Sequence, residues 1–138
     1  AIALLLSACN PGDDEGGVFR VKMDGAAEVC EGKEACGGNG SGSATIEINS
    51  DRNRVCYDIR LSETPEVTAA HIHEGSEGVK GPVVVDLAYH GSDEEAKACV
   101  DDVKESVLES VSEAPARHYL NVHTKRYPDG AARGQLDD

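Results

Sequence analysis

The chain reads as an all-β protein, an antiparallel β-sandwich of about seven to eight short strands with one short helix near residues 101–113. Three observations predict it. Apolar and polar residues alternate with period two along most of the sequence, and clusters of Gly, Ser, Asn and Asp punctuate the runs. Between Val100 and Val111 the period changes to that of a helix. At 138 residues the chain suits a single core and leaves no room for a second.

Phe19, Val21 and Met23 alternate with Arg20 and Lys22 in the first strand. Ala44, Ile46 and Ile48 form the inner row of the second. After the turn signal Ser50-Asp51-Arg52-Asn53, Val55, Tyr57, Ile59 and Leu61 form that of the third, and the two runs read as a hairpin. Further strands are expected over Val67–His73, Val83–Tyr89, His118–Thr124 and Ala132–Leu136. In the helical segment the apolar stripe is Val100, Val103, Val107, Leu108 and Val111, with Asp101 or Asp102 placed to cap it and Pro115 just beyond its end. The Gly-rich stretch at 37–42 precedes a strand rather than a helix, so it matches no phosphate-binding loop.

Residues 1–8 form an apolar run too short to span a bilayer and read as a truncated signal peptide. The run closes on Leu6-Ser7-Ala8-Cys9, which resembles a bacterial lipobox. The expectation is a lipid on Cys9, a polar tether over residues 9–17 and a domain over 18–138. The protein is then extracytoplasmic, at the periplasm or cell surface, and touches the membrane only through that lipid. In an oxidising compartment the four remaining cysteines suggest two disulfides, with three possible pairings. Cys30 and Cys36 flank a short loop and are natural local partners, which leaves Cys56 with Cys99; buried free thiols are the other reading. No Cys-x-x-Cys spacing exists for a zinc ribbon.

Thirteen basic residues against 26 acidic ones give a formal net charge of −13, which argues against nucleic acid as a partner. There is no Trp and aromatic content is 4%, so base-stacking platforms are excluded too. No nucleophile elbow surrounds any Ser, and no His-Glu-x-x-His helix occurs, which disfavours hydrolytic chemistry.

The five histidines, residues 71, 73, 90, 118 and 123, carry the chemical signal. His71 and His73 are two apart on one expected strand, so they share a face roughly 6.5 Å apart and can lean onto one ion. On its own such a pair also describes two solvated histidines. With Leu120 and Val122 inward, Tyr119, Asn121 and His123 face outward, so a third imidazole meets the pair if the strands adjoin.

The segments His71-Ile72-His73-Glu74-Gly75, Gly81-Pro82-Val83-Val84-Val85, Tyr119-Leu120-Asn121-Val122-His123-Thr124 and Tyr127-Pro128-Asp129-Gly130-Ala131-Ala132-Arg133-Gly134-Gln135-Leu136 resemble the CHRD domain, named for its occurrence in chordin. The likeness extends upstream through Asp24-Gly25-Ala26-Ala27-Glu28-Val29 and covers about residues 18–136. That family looks related to the Cu/Zn superoxide dismutase sandwich, which implies a Greek-key, immunoglobulin-like fold. It also implies copper ligands at His71, His73 and His123, with Arg133 near the place of a substrate-guiding arginine; a structural pairing of Arg133 with a carboxylate is the plainer role. Cys56 and Cys99 fit positions where some bacterial CHRD domains carry paired cysteines. His90 or His118 is the candidate fourth ligand, although His118 has the opposite strand parity to His123. Glu74 adds a carboxylate beside the histidines, to ligate, to tune His73 or simply to sit exposed. Asn121 suits a hydrogen bond to a loop.

The dismutase zinc loop and bridging histidine have no counterpart here, so no catalytic residues are assigned. The leading expectation is a transition-metal-binding envelope protein that takes copper, with zinc as the alternative. A metal-free interaction module with an envelope protein partner is the second, and a dismutase-like redox enzyme the third.

Overall fold

The computed structural model describes residues 16–32, 35–89 and 94–137. Eight strands run in chain order: β1 (Gly16–Asp24), β2 (Ser41–Asn49), β3 (Arg54–Ser62), β4 (Val67–Glu74), β5 (Val83–Asp86), β6 (Glu95–Val100), β7 (His118–Thr124) and β8 (Ala132–Asp137). The single α-helix among the described residues, α1 (Glu105–Glu113), lies between β6 and β7. The expected positions of the lipidated Cys9 and of His90 fall outside the described residues.

All strands pair antiparallel in one continuous sheet of order β5-β4-β7-β8-β1-β2-β3-β6. The chain builds β1 to β3 on one half, crosses to β4 and β5, returns for β6, and crosses again for β7 and β8. Non-consecutive strands therefore adjoin, β3 with β6 and β4 with β7, in a Greek-key arrangement. The halves are not separate layers, because β8 pairs with β1 and stitches them into one curled sheet. Curling turns one face of each half onto a common core: Ile46, Val55 and Ile59 from one side meet Ala70, Ile72, Leu120 and Val122 from the other. At the seam Gly134 lies so close to the Lys22 carbonyl that any side chain there would overlap it.

Period-two alternation placed seven of these strands. The eighth, β6, alternates only weakly: four of its six residues are exposed, Ala96 and Val100 alone pack partly against the core, and it is held by its ladder to β3 and by a disulfide between the directly opposed Cys56 and Cys99. The expected helix starts later than its stripe suggests, at Glu105 rather than 101. Val100 ends β6, and Asp102 takes a left-handed backbone (φ 61°) that breaks the chain between the two elements. Neither aspartate caps the helix; its N-cap, Lys104, makes no side-chain hydrogen bond, and Asp101 accepts one from Arg54 Nε at 2.6 Å. Leu108 and Val111 plug α1 into the core beside the β2–β3 turn. The expected strand over Val83–Tyr89 stops at Asp86, whose carboxylate accepts the Ala88 N–H as Ala88 turns left-handed.

Candidate metal centre

Strand parity and pairing bring three imidazoles onto the outer face of β4 and β7. In that ladder His71 faces Asn121, His73 faces Tyr119, and Ala69 faces His123. Ile72 points the other way into the core and is fully buried, which pins β4 with both histidines outward. A register shift between Ile72 and His73 against β5 adds a local bulge, a device that re-aims a side chain. Ring centroids lie 5.1 Å apart for His71 and His123, 5.7 Å for His71 and His73, and 6.5 Å for His73 and His123. One nitrogen from each ring lies within 4.8 Å of the other two.

The hydrogen bonds decide which nitrogens these are. His73 Nδ1 donates to the Gly81 carbonyl at 2.9 Å, and His123 Nδ1 donates to the Pro128 carbonyl at 3.0 Å. A carbonyl only accepts, so both neutral rings carry their proton on Nδ1 and keep a lone pair on Nε2. His73 Nε2, His123 Nε2 and His71 Nδ1 are all buried without a hydrogen-bond partner. Two desolvated lone pairs and a third desolvated ring nitrogen gathered in one cluster fit a metal ion, and backbone carbonyls behind the rings, here those on His73 and His123, are the usual way such ligands are held. Burial pushes the His73 and His123 pKa values below the usual 6.5, outweighing the carbonyl hydrogen bonds that act in the other direction. Both rings are therefore neutral, and able to ligate, at neutral pH.

A second layer fixes the first. The Tyr119 ring stacks on His73 (4.6 Å between centroids, 7° between planes), and the Arg133 guanidinium lies 3.4 Å from the Tyr119 centroid on the neighbouring strand. Tyr119 Oη accepts the Gly81 N–H, so the ring that packs on His73 also holds the residue whose carbonyl orients it. Arg133 is 2% exposed and donates to the Ser76 carbonyl and to Gln135 Oε1, while Glu28 and Glu77 are its acidic neighbours. Its observed contacts thus brace the loop at 75–82.

The other residues singled out in the sequence fall elsewhere. His118 lies inside β7 with both nitrogens engaged, Nδ1 with the Ala114 carbonyl at 2.9 Å and Nε2 with Ser110 Oγ at 3.2 Å. It is a packing contact of α1 rather than a fourth member of the cluster, as its strand parity requires. Glu74 is exposed. Asn121 donates from Nδ2 to Glu28 Oε1 at 2.9 Å. Glu28 had no role in the sequence reading, although a lone carboxylate inside the apolar run Gly25-Ala26-Ala27-Glu28-Val29 was a signal to follow.

The CHRD domain model matches residues 19–136 of this chain. The chain belongs to the CHRD family. Neither a curated protein nor a solved structure matches it. In this CHRD domain the match runs from the first core residue of β1 to the last of β8, so it covers every element that positions the imidazoles.

Proposed function

We propose that this CHRD domain is an extracytoplasmic protein that holds one transition-metal ion, copper in preference to zinc, through His71, His73 and His123. One observation carries the reading: three buried imidazole nitrogens, each without a hydrogen-bond partner, converge within 4.8 Å. Neutral imidazoles suit both metals, and copper stands higher in the divalent affinity order. When bound, the ion supplies Lewis acidity and, as copper, one-electron chemistry. The chain's own residues orient the ligands through Gly81, Pro128 and Tyr119, and exclude water from behind them. Two disulfides, Cys30–Cys36 and Cys56–Cys99, support a location in an oxidising compartment. Among the described residues no helix is long and apolar enough to cross a membrane. Anchoring is assigned to a lipid on Cys9, and a mass spectrum of the mature N-terminus showing unmodified Cys9 would exclude it.

Titration of the purified domain with copper(II) and zinc(II) against a competing chelator tests the site. The expected result is one ion per chain, with copper bound more tightly. Each single His→Ala change at 71, 73 or 123 should lower affinity at least tenfold, and Glu74→Ala should leave it unchanged. Little superoxide turnover is expected. Undiminished copper binding by the triple alanine variant would overturn the assignment.

A further inference from the structure

We propose that Glu28 is the charge partner of the histidine cluster: an ion taken up by His71, His73 and His123 is balanced by the Glu28 carboxylate, whose proton leaves to bulk solvent as the ion binds. The proposal rests on the metal reading above and concerns a residue outside the cluster. Glu28 follows the 3-10 turn Gly25–Ala27 and lies over the outer face of β7, where Asn121 Nδ2 holds its Oε1. Asn121 stands directly opposite His71 in the β4–β7 ladder, so the carboxyl group is tied to the nearest cross-strand neighbour of the cluster on the same face.

The second carboxyl oxygen, Oε2, is buried without a hydrogen-bond partner, and so is Asn121 Oδ1. An orphaned anionic oxygen in a desolvated place is costly, which favours the neutral acid. Desolvation indeed raises the Glu28 pKa to about 7, against the lowering effects of the Asn121 hydrogen bond and of the Arg133 and Lys80 charges. Those cations flank the carboxyl from β8 and from the 75–82 loop. Glu77 lies by Arg133, Asp129 lies by His123, and the imidazoles of β4 and β7 complete the titratable surroundings. All of these are present before and after loading. The bound cation is the one new charge, and it attracts the carboxylate form while leaving the neutral acid nearly indifferent.

Calorimetric titration with copper(II) between pH 6 and 8, in buffers of different ionisation enthalpy, tests this on the wild type and on Glu28→Gln. Over that range the wild-type affinity should rise about tenfold more than that of Glu28→Gln, as expected for one proton released from a group of pKa about 7. At pH 7 the wild type should also release about half a proton more than the variant. Infrared spectra provide an independent readout on the wild type alone: a protonated carboxyl band at pH 6.5 should vanish on copper saturation. Equal pH profiles in the two proteins, or a carboxyl band that survives saturation, would overturn the role of Glu28 and leave the metal site standing. A wild type that takes up no copper overturns the site itself.

Discussion

Gly81 serves the site twice from one backbone position. Its carbonyl receives His73 Nδ1 while its N–H is held by Tyr119 Oη. A Cβ at this position would overlap the Glu74 carbonyl on the facing strand end, so no larger residue can occupy it without moving the loop. Gly81→Ala should therefore weaken copper binding about tenfold or more, the usual effect of losing a partner behind a ligand, with every ligand still in place. A titration beside a thermal melt checks it, and unchanged affinity would show that the carbonyl does not orient His73. At this scale the sequence was informative where side chains follow strand period: His71, His73 and His123 share a face because two-residue spacing puts them there. Glu28, Gly81 and Pro128 reach the same place from loops, and no periodicity announces a backbone acceptor.

Elements differ in how they are held, and the two crosslinks show it. Cys56–Cys99 closes 43 residues and fastens β6, which contributes almost nothing to the core, onto β3. Cys30–Cys36 closes a local loop whose neighbours reach the site, since the Asp129 N–H donates to the Ala35 carbonyl and the Gly37 N–H donates to the Gly130 carbonyl. That loop thus braces the turn that presents the Pro128 carbonyl to His123. Serine at both positions of the long crosslink should cost about 4 kcal/mol by chain entropy, and at the short one about 2 kcal/mol. The short-loop variant alone should also lose metal affinity. Urea unfolding and copper titration of the two variants check this; a larger stability loss from the short loop would contradict it. Strands with one dry face were legible in the sequence, whereas the alternation of β6 rests on the small Ala96 and Ala98 and on Val100, which the helical stripe also claimed, and four of its six residues are exposed. The start of α1 was displaced because Val100 and Val103 extended the stripe past a left-handed Asp102.

Over the whole molecule the titrating groups pull in opposite directions. His73 and His123 have lowered folded-state values, so the unfolded chain binds their protons more readily and stability falls as the pH drops below about 6.5. Glu28 is raised from 4.5 to about 7, so its contribution is fully present below 4.5 and is lost as the pH rises through 7. Metal-free Glu28→Gln should accordingly be more stable than the wild type at pH 8, with the advantage fading by pH 5. Urea midpoints at the two pH values decide this, and an advantage that grows toward acid would reverse the assignment. The class of fold was legible from alternation, but the strand order was not. Register between β1 and β8 depends on residues more than a hundred positions apart, and nothing local records it.

That pairing also sets the order of assembly. Because β8 lies between β7 and β1, the two ends of the domain meet in the middle of the sheet, while its free edges, β5 and β6, come from the middle of the chain. Until β8 is made, β1 and β7 both present open hydrogen-bonding edges and the core has a gap along one side. A chain made N-terminus first can therefore complete neither its barrel-like curl nor the brace behind His73 until β8 is in place. Shortening it by that one strand would split the sheet at its centre rather than trim its border.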